Sequence, residues 1–247
     1  NGNWIGGKNR LIQVGDVIDR GPESVKAYEF LEKIQLQAEK VGGRVDRLLG
    51  NHELMLLEGN YKYVDFSNPE RLRQKLIEDI KNGKVVAAVE YKGLVFTHAG
   101  IRSGIARTLK EEIARLKGVP LEDVRPDDIV ERINQILVEE IKKLHSEFEH
   151  PIFGVGYARG GNQETGGIFW TDFDKELIQT VGPEDFKQIV GHTPQKAGIK
   201  ATDRRIDIDA GLFEGYGGNR AFLKIDVDKD DAFIINAIEK IANNIIL

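Results

Sequence analysis

No cysteine occurs among the 247 residues. That absence excludes disulfides and thiolate metal sites, and it fits a reducing, cytoplasmic setting. No stretch of about 18 apolar residues is present either, so no bilayer-spanning helix and no membrane partner are expected. Basic residues show no surplus: 35 Lys and Arg stand against 40 Asp and Glu, a formal net charge of -5. Nucleic-acid binders usually carry the opposite balance, so no nucleic-acid partner is expected. The opening NGNWIGGKNR lacks the apolar core of a signal segment and reads as a turn-rich loop between two elements. What is left, 40% hydrophobic and 30% charged, describes a globular chain able to bury a sizeable core.

Short β-like runs alternate with helical ones, which predicts an α/β fold. RLIQVGD reads as a strand, and PESVKAYEFLEKIQLQAEK as a helix with Pro22 in its first turn. GRVDRLLGNHE is a second strand ending in a polar turn, and NPERLRQKLIEDIKNG a helix capped by Asn68 and stopped by Gly83. KVVAAVEYKGLVFTHAG predicts a hairpin turning at Lys92-Gly93. Ser103 to His150 reads as helical, with Ile105, Leu109, Ile113 and Leu116, then Ile129, Ile133, Ile136, Leu137 and Ile141, at helical spacing. After Pro151 strands return in FKQIVGHT, RRIDIDAG, RAFLKIDVD and AFIINA. The expected organisation is one domain over 1–247 with a helical insertion at 103–150, read as a cap over the site.

Polar groups cluster in four places, each where an apolar run stops. Asp16 and Asp19 follow LIQV, Asn51 and His52 follow RLL, His98 follows LVF, and His192 follows QIV. In α/β proteins such strand ends converge on one crevice. Carboxylate, amide and imidazole donors together suit a divalent transition metal where thiolates are absent. Each has a plainer reading. A lone Asp after a strand is usually a turn former or cap, an Asn-His pair a hydrogen-bonded turn, and a single His a satisfied core residue. Arg20 could be a surface ion pair, and Arg159 part of a flexible glycine-rich loop. The acids of DIDAG and Asp226-Asp228 lack EF-hand spacing and are taken as turn or strand-end residues. GVGYARGG lacks the lysine-hydroxyl ending of a phosphate-binding loop.

GDVIDRG, GNHE, THAG and GHT, in this order, resemble the signature of calcineurin-like metallophosphoesterases. The first two point to the phosphoprotein phosphatase branch, and YARGG and DIDAGLFEGYGG are similar to later motifs of the Shewanella-like phosphatases. The resemblance implies a four-layer αββα sandwich of two mixed sheets. It implies two divalent ions (Mn, Fe or Zn), with Asp16 bridging them and Asn51, His98 and His192 completing one shell. His52 would be the general acid, Asp19 would orient it, Arg20 and Arg159 would clamp phosphate, and Tyr216 would line the pocket. The implied activity is phosphomonoester hydrolysis by in-line attack, on phosphoproteins including phosphotyrosine or on a small phosphoester. A dinucleoside tetraphosphate hydrolase is the alternative.

The family also carries a D-x-H on its first strand, which holds the other metal. None is present here: the residues two places before the five histidines are Gly50, Phe96, Lys143, Phe148 and Val190. The expectation is that the domain lacks its first strand. Truncation, supply of the segment by another chain or its loss by processing, or a catalytically impaired phosphopeptide- or metal-binding module that keeps one ion or none would each account for this.

Overall fold

The computed structural model describes residues 2–63, 68–143, 148–179, 186–226, 228–229, 231–236 and 242–245, the last two segments by backbone alone. His145 lies outside them. β1 (Arg10–Gln13) and β2 (Arg44–Leu48) pair in parallel, Arg10 opposite Arg44 and Gln13 opposite Arg47. A parallel pair needs a crossover, and α1 (Ser24–Lys40) supplies it, packing Ile34 and Ala38 on Val45. Pro22 does not enter that helix. The first helical residue is Ser24, whose hydroxyl donates to the Ile18 carbonyl at 2.9 Å and so bonds back into the loop after β1.

GNHE departs further from expectation: α2 (Asn51–Leu57) begins inside it. Gly50 is the N-cap, and its N–H donates to the carboxylate of Glu53 at 2.8 Å, half of a capping box. α3 (Pro69–Lys81) starts as expected, with Asn68 Oδ1 accepting from the Arg71 N–H at 3.1 Å. β3 (Val85–Val86) adds to β2 in parallel. The chain then changes sheets within two residues. β4 (Ala88–Tyr91) and β5 (Leu94–Thr97) form the expected hairpin, with Lys92 and Gly93 both at positive φ. The break between β3 and β4 is held by Asn134, whose side chain accepts from the Ala87 and Ala88 N–H groups and donates to the Ala88 carbonyl.

α4 (Ser103–Lys117) and α5 (Pro126–Lys143) pack on each other, and α5 also packs on β4 and α3. Their buried stripes, Ala106, Leu109 and Ile113 on α4 and Ile129, Ile133, Ile136, Leu137 and Ile141 on α5, belong to the main apolar core. Beyond them lie β6 (Lys187–Val190), β7 (Lys200–Ala201) and β8 (Arg205–Asp207), giving a five-stranded sheet in the order β4-β5-β6-β8-β7. β9 (Ala221–Asp226), β10 (Asp231–Asn236) and β11 (Ala242–Ile245) form an antiparallel sheet.

The sheets meet across a second core. Leu48 faces Val89, Leu94, Phe96, Ile189 and Ile206, with Ile12, Val14, Leu223 and Ile225 packed against them. The result is the expected α/β sandwich. Strands β1 and β2 run parallel to each other, as do β5, β6 and β8, so each set ends at one edge. The chain's polar clusters lie at those ends. No helix among the described residues is long and apolar enough to cross a membrane.

Candidate active site

The loops after β1 and β2 approach to backbone contact. A Cβ on Gly50 would lie 2.2 Å from Asp16 Oδ1 and 2.3 Å from Asp16 N, and one on Gly15 would lie 2.7 Å from Gly50 Cα. Neither position has room for a side chain. Of the four non-glycine residues at positive φ among the described residues, three are here: Asp16 at 59°, Arg20 at 58° and His192 at 74°. Backbone strain of this kind collects where side chains must be aimed. The Glu53 carboxylate, 2% exposed, accepts from the Gly50 and Asp16 N–H groups at 2.8 Å and from the Ile18 N–H at 3.2 Å. The His52 N–H in turn donates to Asp16 Oδ1 at 3.0 Å.

His98 is the centre of the first group. Its Nδ1 lies 2.7 Å from the Val14 carbonyl, which can only accept, so Nδ1 carries the proton and Nε2 a lone pair in the neutral ring. Around Nε2 stand Asn51 Oδ1 at 2.9 Å, His192 Nδ1 at 3.1 Å and Asp16 Oδ2 at 3.4 Å. Two ring nitrogens and two oxygens converge with few protons to share, an arrangement a cation would satisfy. His192 Nε2 is buried with no hydrogen-bond partner. The donor set therefore fits a divalent ion, with Asp16, Asn51, His98 and His192 able to hold it. A second grouping of possible ligand atoms joins Asp16, Asp19 and His52.

Electrostatics follow this geometry. Burial pushes the Asp16 carboxyl up, but the charge and hydrogen bond of His98, with His52 and His192 beyond it, outweigh burial and hold it below the usual range. Burial pushes His98 down, and the Asp16 carboxylate more than reverses that. His192 is pushed well down by burial and then by His98 and Arg159. His52 falls to about 4, chiefly by burial, so the ring is neutral at pH 7. Asp19 rises to about 6, through burial and the Asp16 charge.

His52 Nδ1 and Asp19 Oδ1 stand 3.2 Å apart, but neither atom makes a hydrogen bond. Asp19, expected to orient His52, is in contact with it but not hydrogen-bonded, and Arg20 Nη1 takes the other Asp19 oxygen. Arg20 Nη1 also lies 3.3 Å from His52 Nε2. Arg159, at the end of a 3₁₀ turn (Tyr157–Arg159), donates from Nη2 to Thr193 Oγ1 at 2.7 Å and pairs with Asp172 Oδ2 at 3.2 Å. Asp172 also caps the turn after it, accepting from the Asp174 and Lys175 N–H groups.

Arg20, His52, Asn51 and Arg159 line a cleft of about 330 Å³, together with Met55, Tyr63, Trp170 and Pro194. A neighbouring cleft of about 490 Å³ has apolar walls from Leu11, Ile12, Val14, Leu31, Leu212 and Phe213. Asp16, Asp19, His192, Asp209 and Tyr216 line both. Among the described residues, none of α4 or α5 lines either cleft. The structure thus brings all nine expected residues to one place. It adds Glu53, Tyr63, Asp172 and Asp209. Asp209, taken from sequence as a turn residue, is a wall of both clefts, its carboxylate bonded to the Gly211 N–H at 3.0 Å. Of these, only Glu53 had a local signal, its place three residues after the cap of α2.

The match to the calcineurin-like phosphoesterase model covers residues 4–207. The chain belongs to that family. An uncharacterized protein of Schizosaccharomyces pombe is 31% identical over 94% of this chain and 70% of its own length. Shewanella-like protein phosphatase 2 of Arabidopsis thaliana is 27% identical over 86% of this chain, which spans 64% of that relative. The crystal structure of a point mutant of a cold-active protein tyrosine phosphatase shares the fold, with a TM-score of 0.64 at 18% identity, covering 98% of this chain and 71% of that one. Symmetrical bis(5'-nucleosyl)-tetraphosphatases of Pseudomonas putida match over 38% of this chain only. A phosphoesterase of this family hydrolyses phosphate esters with divalent metals, in keeping with the donor set above.

Proposed function

We propose that this phosphoesterase is a metal-dependent phosphomonoester hydrolase acting on phosphoproteins, phosphotyrosine among them. The observation that carries the reading is the four-donor cluster around His98 Nε2 opening on a cleft with two arginines. The Arabidopsis relative's name and the tyrosine phosphatase fold match support the substrate class; the short tetraphosphatase match gives the alternative little support. Mn²⁺ is the first ion to test with this donor set. Bound metals would lower the pKa of an attacking water and offset charge on the phosphoryl oxygens.

The chain's own residues do the rest. Arg20 and Arg159 offer planar forks that can bind phosphate oxygens in pairs. To reach phosphate, Arg20 must share or leave Asp19. His52 is the proton donor for the leaving oxygen, and it must first gain a proton. A dianionic phosphate on Arg20 favours that, since the Arg20 charge is among the causes that hold the ring neutral. Asp19, released by Arg20, then faces His52 Nδ1.

Turnover of p-nitrophenyl phosphate with added Mn²⁺ tests the reading. Activity that falls roughly 10²- to 10⁴-fold in His52→Asn is the expected result for a general acid. No turnover with any divalent metal, alongside retained phosphopeptide binding, would favour a silent binding module instead.

A further inference from the structure

Tyr63 belongs to none of the motifs read from the sequence, yet it touches two of the site's working residues. Arg20 holds a left-handed backbone, φ 58°, and its N–H donates to the Tyr63 carbonyl at 3.1 Å. Its guanidinium carbon lies 4.7 Å from the Tyr63 ring centroid, with the Tyr216 ring 5.4 Å away. A cation at that distance over an aromatic face is attracted by the ring's negative face. The same Tyr63 ring meets His52 edge-on, 4.9 Å between centroids at 86°. His52 Nδ1 makes no hydrogen bond, so the packed ring is a restraint that Asp19 does not supply. One side chain therefore bears on the phosphate-facing fork and on the imidazole together.

We propose that Tyr63 is a positioning residue of the phosphomonoester site, its ring holding the Arg20 guanidinium and the His52 imidazole in working orientation. The backbone bond from Arg20 and the aromatic contacts come from the same residue, so the segment after α2 is tied to the β1 loop twice. Of the other aromatic walls of the cleft, Trp170 turns its ring edge-on to His192 and Tyr216 lies farther from Arg20. Tyr63 is thus the residue whose loss should disturb phosphate binding and proton delivery at once. This proposal rests on the roles given above to Arg20 and His52.

The test uses the Mn²⁺-loaded full chain and two readouts. The first is orthophosphate affinity by titration calorimetry. The second is the ratio of kcat/KM for p-nitrophenyl phosphate to that for phenyl phosphate, whose leaving group needs a proton more. Tyr63→Leu should weaken phosphate binding roughly 3- to 30-fold, the range of a cation–π contact, and lose more on phenyl phosphate than on the nitrophenyl ester. Tyr63→Phe, which keeps the ring, should restore most of both. Arg20→Ala is the control that separates the two ideas. If it loses phosphate affinity while Tyr63→Leu matches wild type in both readouts, the reading of Arg20 stands and the proposal is overturned. If Arg20→Ala binds phosphate as wild type does, the reading itself fails and the proposal with it. Equal losses in Phe and Leu variants would assign the effect to the hydroxyl and also overturn it. Should Tyr63→Leu lose its native circular dichroism, Tyr63→Met is read in its place.

Discussion

Removing the Glu53 carboxylate should cost this domain a large part of its stability. Three backbone N–H groups, from Gly50, Asp16 and Ile18, end on that one side chain. All three donors sit in the closely packed loops around Asp16. Burial and the Asp16 charge lift Glu53 to about 7, so the comparison is best made near pH 8, where the carboxylate form dominates. Each buried donor left without an acceptor costs about 1–3 kcal/mol, partly recovered if water enters. Glu53→Ala should therefore lose roughly 3–5 kcal/mol, against the 5–15 kcal/mol typical of a whole domain. Glu53→Gln keeps one oxygen for the Gly50 and Asp16 donors and sets an NH₂ against the Ile18 N–H, so about 1–2 kcal/mol is expected. Urea unfolding of the three proteins measures both. The Ala variant should also bind Mn²⁺ roughly 10- to 100-fold more weakly, because Asp16 loses the bond that fixes its backbone. An Ala variant within about 0.5 kcal/mol of wild type would refute the accounting.

Two further outcomes follow from buried acids. Burial keeps Asp207 protonated in the folded chain to about pH 8, whereas its ordinary value is 3.8. The unfolded chain thus gives up this proton first, and the contribution of Asp207 to stability is lost as pH rises from about 4 to about 8 before levelling off. Asp207→Asn removes that slope, so it should gain on wild type between about pH 5 and 8.5; parallel denaturation curves would exclude the effect. Asp172→Ala frees Arg159 and uncaps the following turn. KM for p-nitrophenyl phosphate should rise about 3- to 30-fold with kcat little changed, and an unchanged KM would mean that Arg159 does not hold substrate.

What the sequence made visible depends on how far each cause lies along the chain. Asn68 ahead of Pro69, and Lys92-Gly93 between two alternating runs, are local signals, and both elements form as expected. Asp16, Asn51, His52, His98 and His192 could be picked out because each ends an apolar run. The break between β3 and β4 could not, since its cause is Asn134, 46 and 47 positions away. For the same reason the apolar run KVVAAVEY reads as one strand and is divided between two sheets. Tyr63 and Asp172 escaped notice because their partners, Arg20 and Arg159, are brought to them only by folding. Asp209 looked like a turn former and makes a turn-like bond to Gly211 as well; its second face, toward the clefts, has no local trace.

The left-handed backbones at Asp16, Arg20 and His192 have a consequence for how this protein can be improved or can drift. Each costs a non-glycine residue on the order of 1–3 kcal/mol, and glycine at any of them would relieve that cost. A search for heat-resistant variants, blind to chemistry, would therefore be drawn to three positions to which the proposed mechanism gives a metal ligand or a phosphate fork. Robustness and catalysis compete here residue by residue. Chains in which one of the three has become glycine would be expected to keep the fold while losing the chemistry.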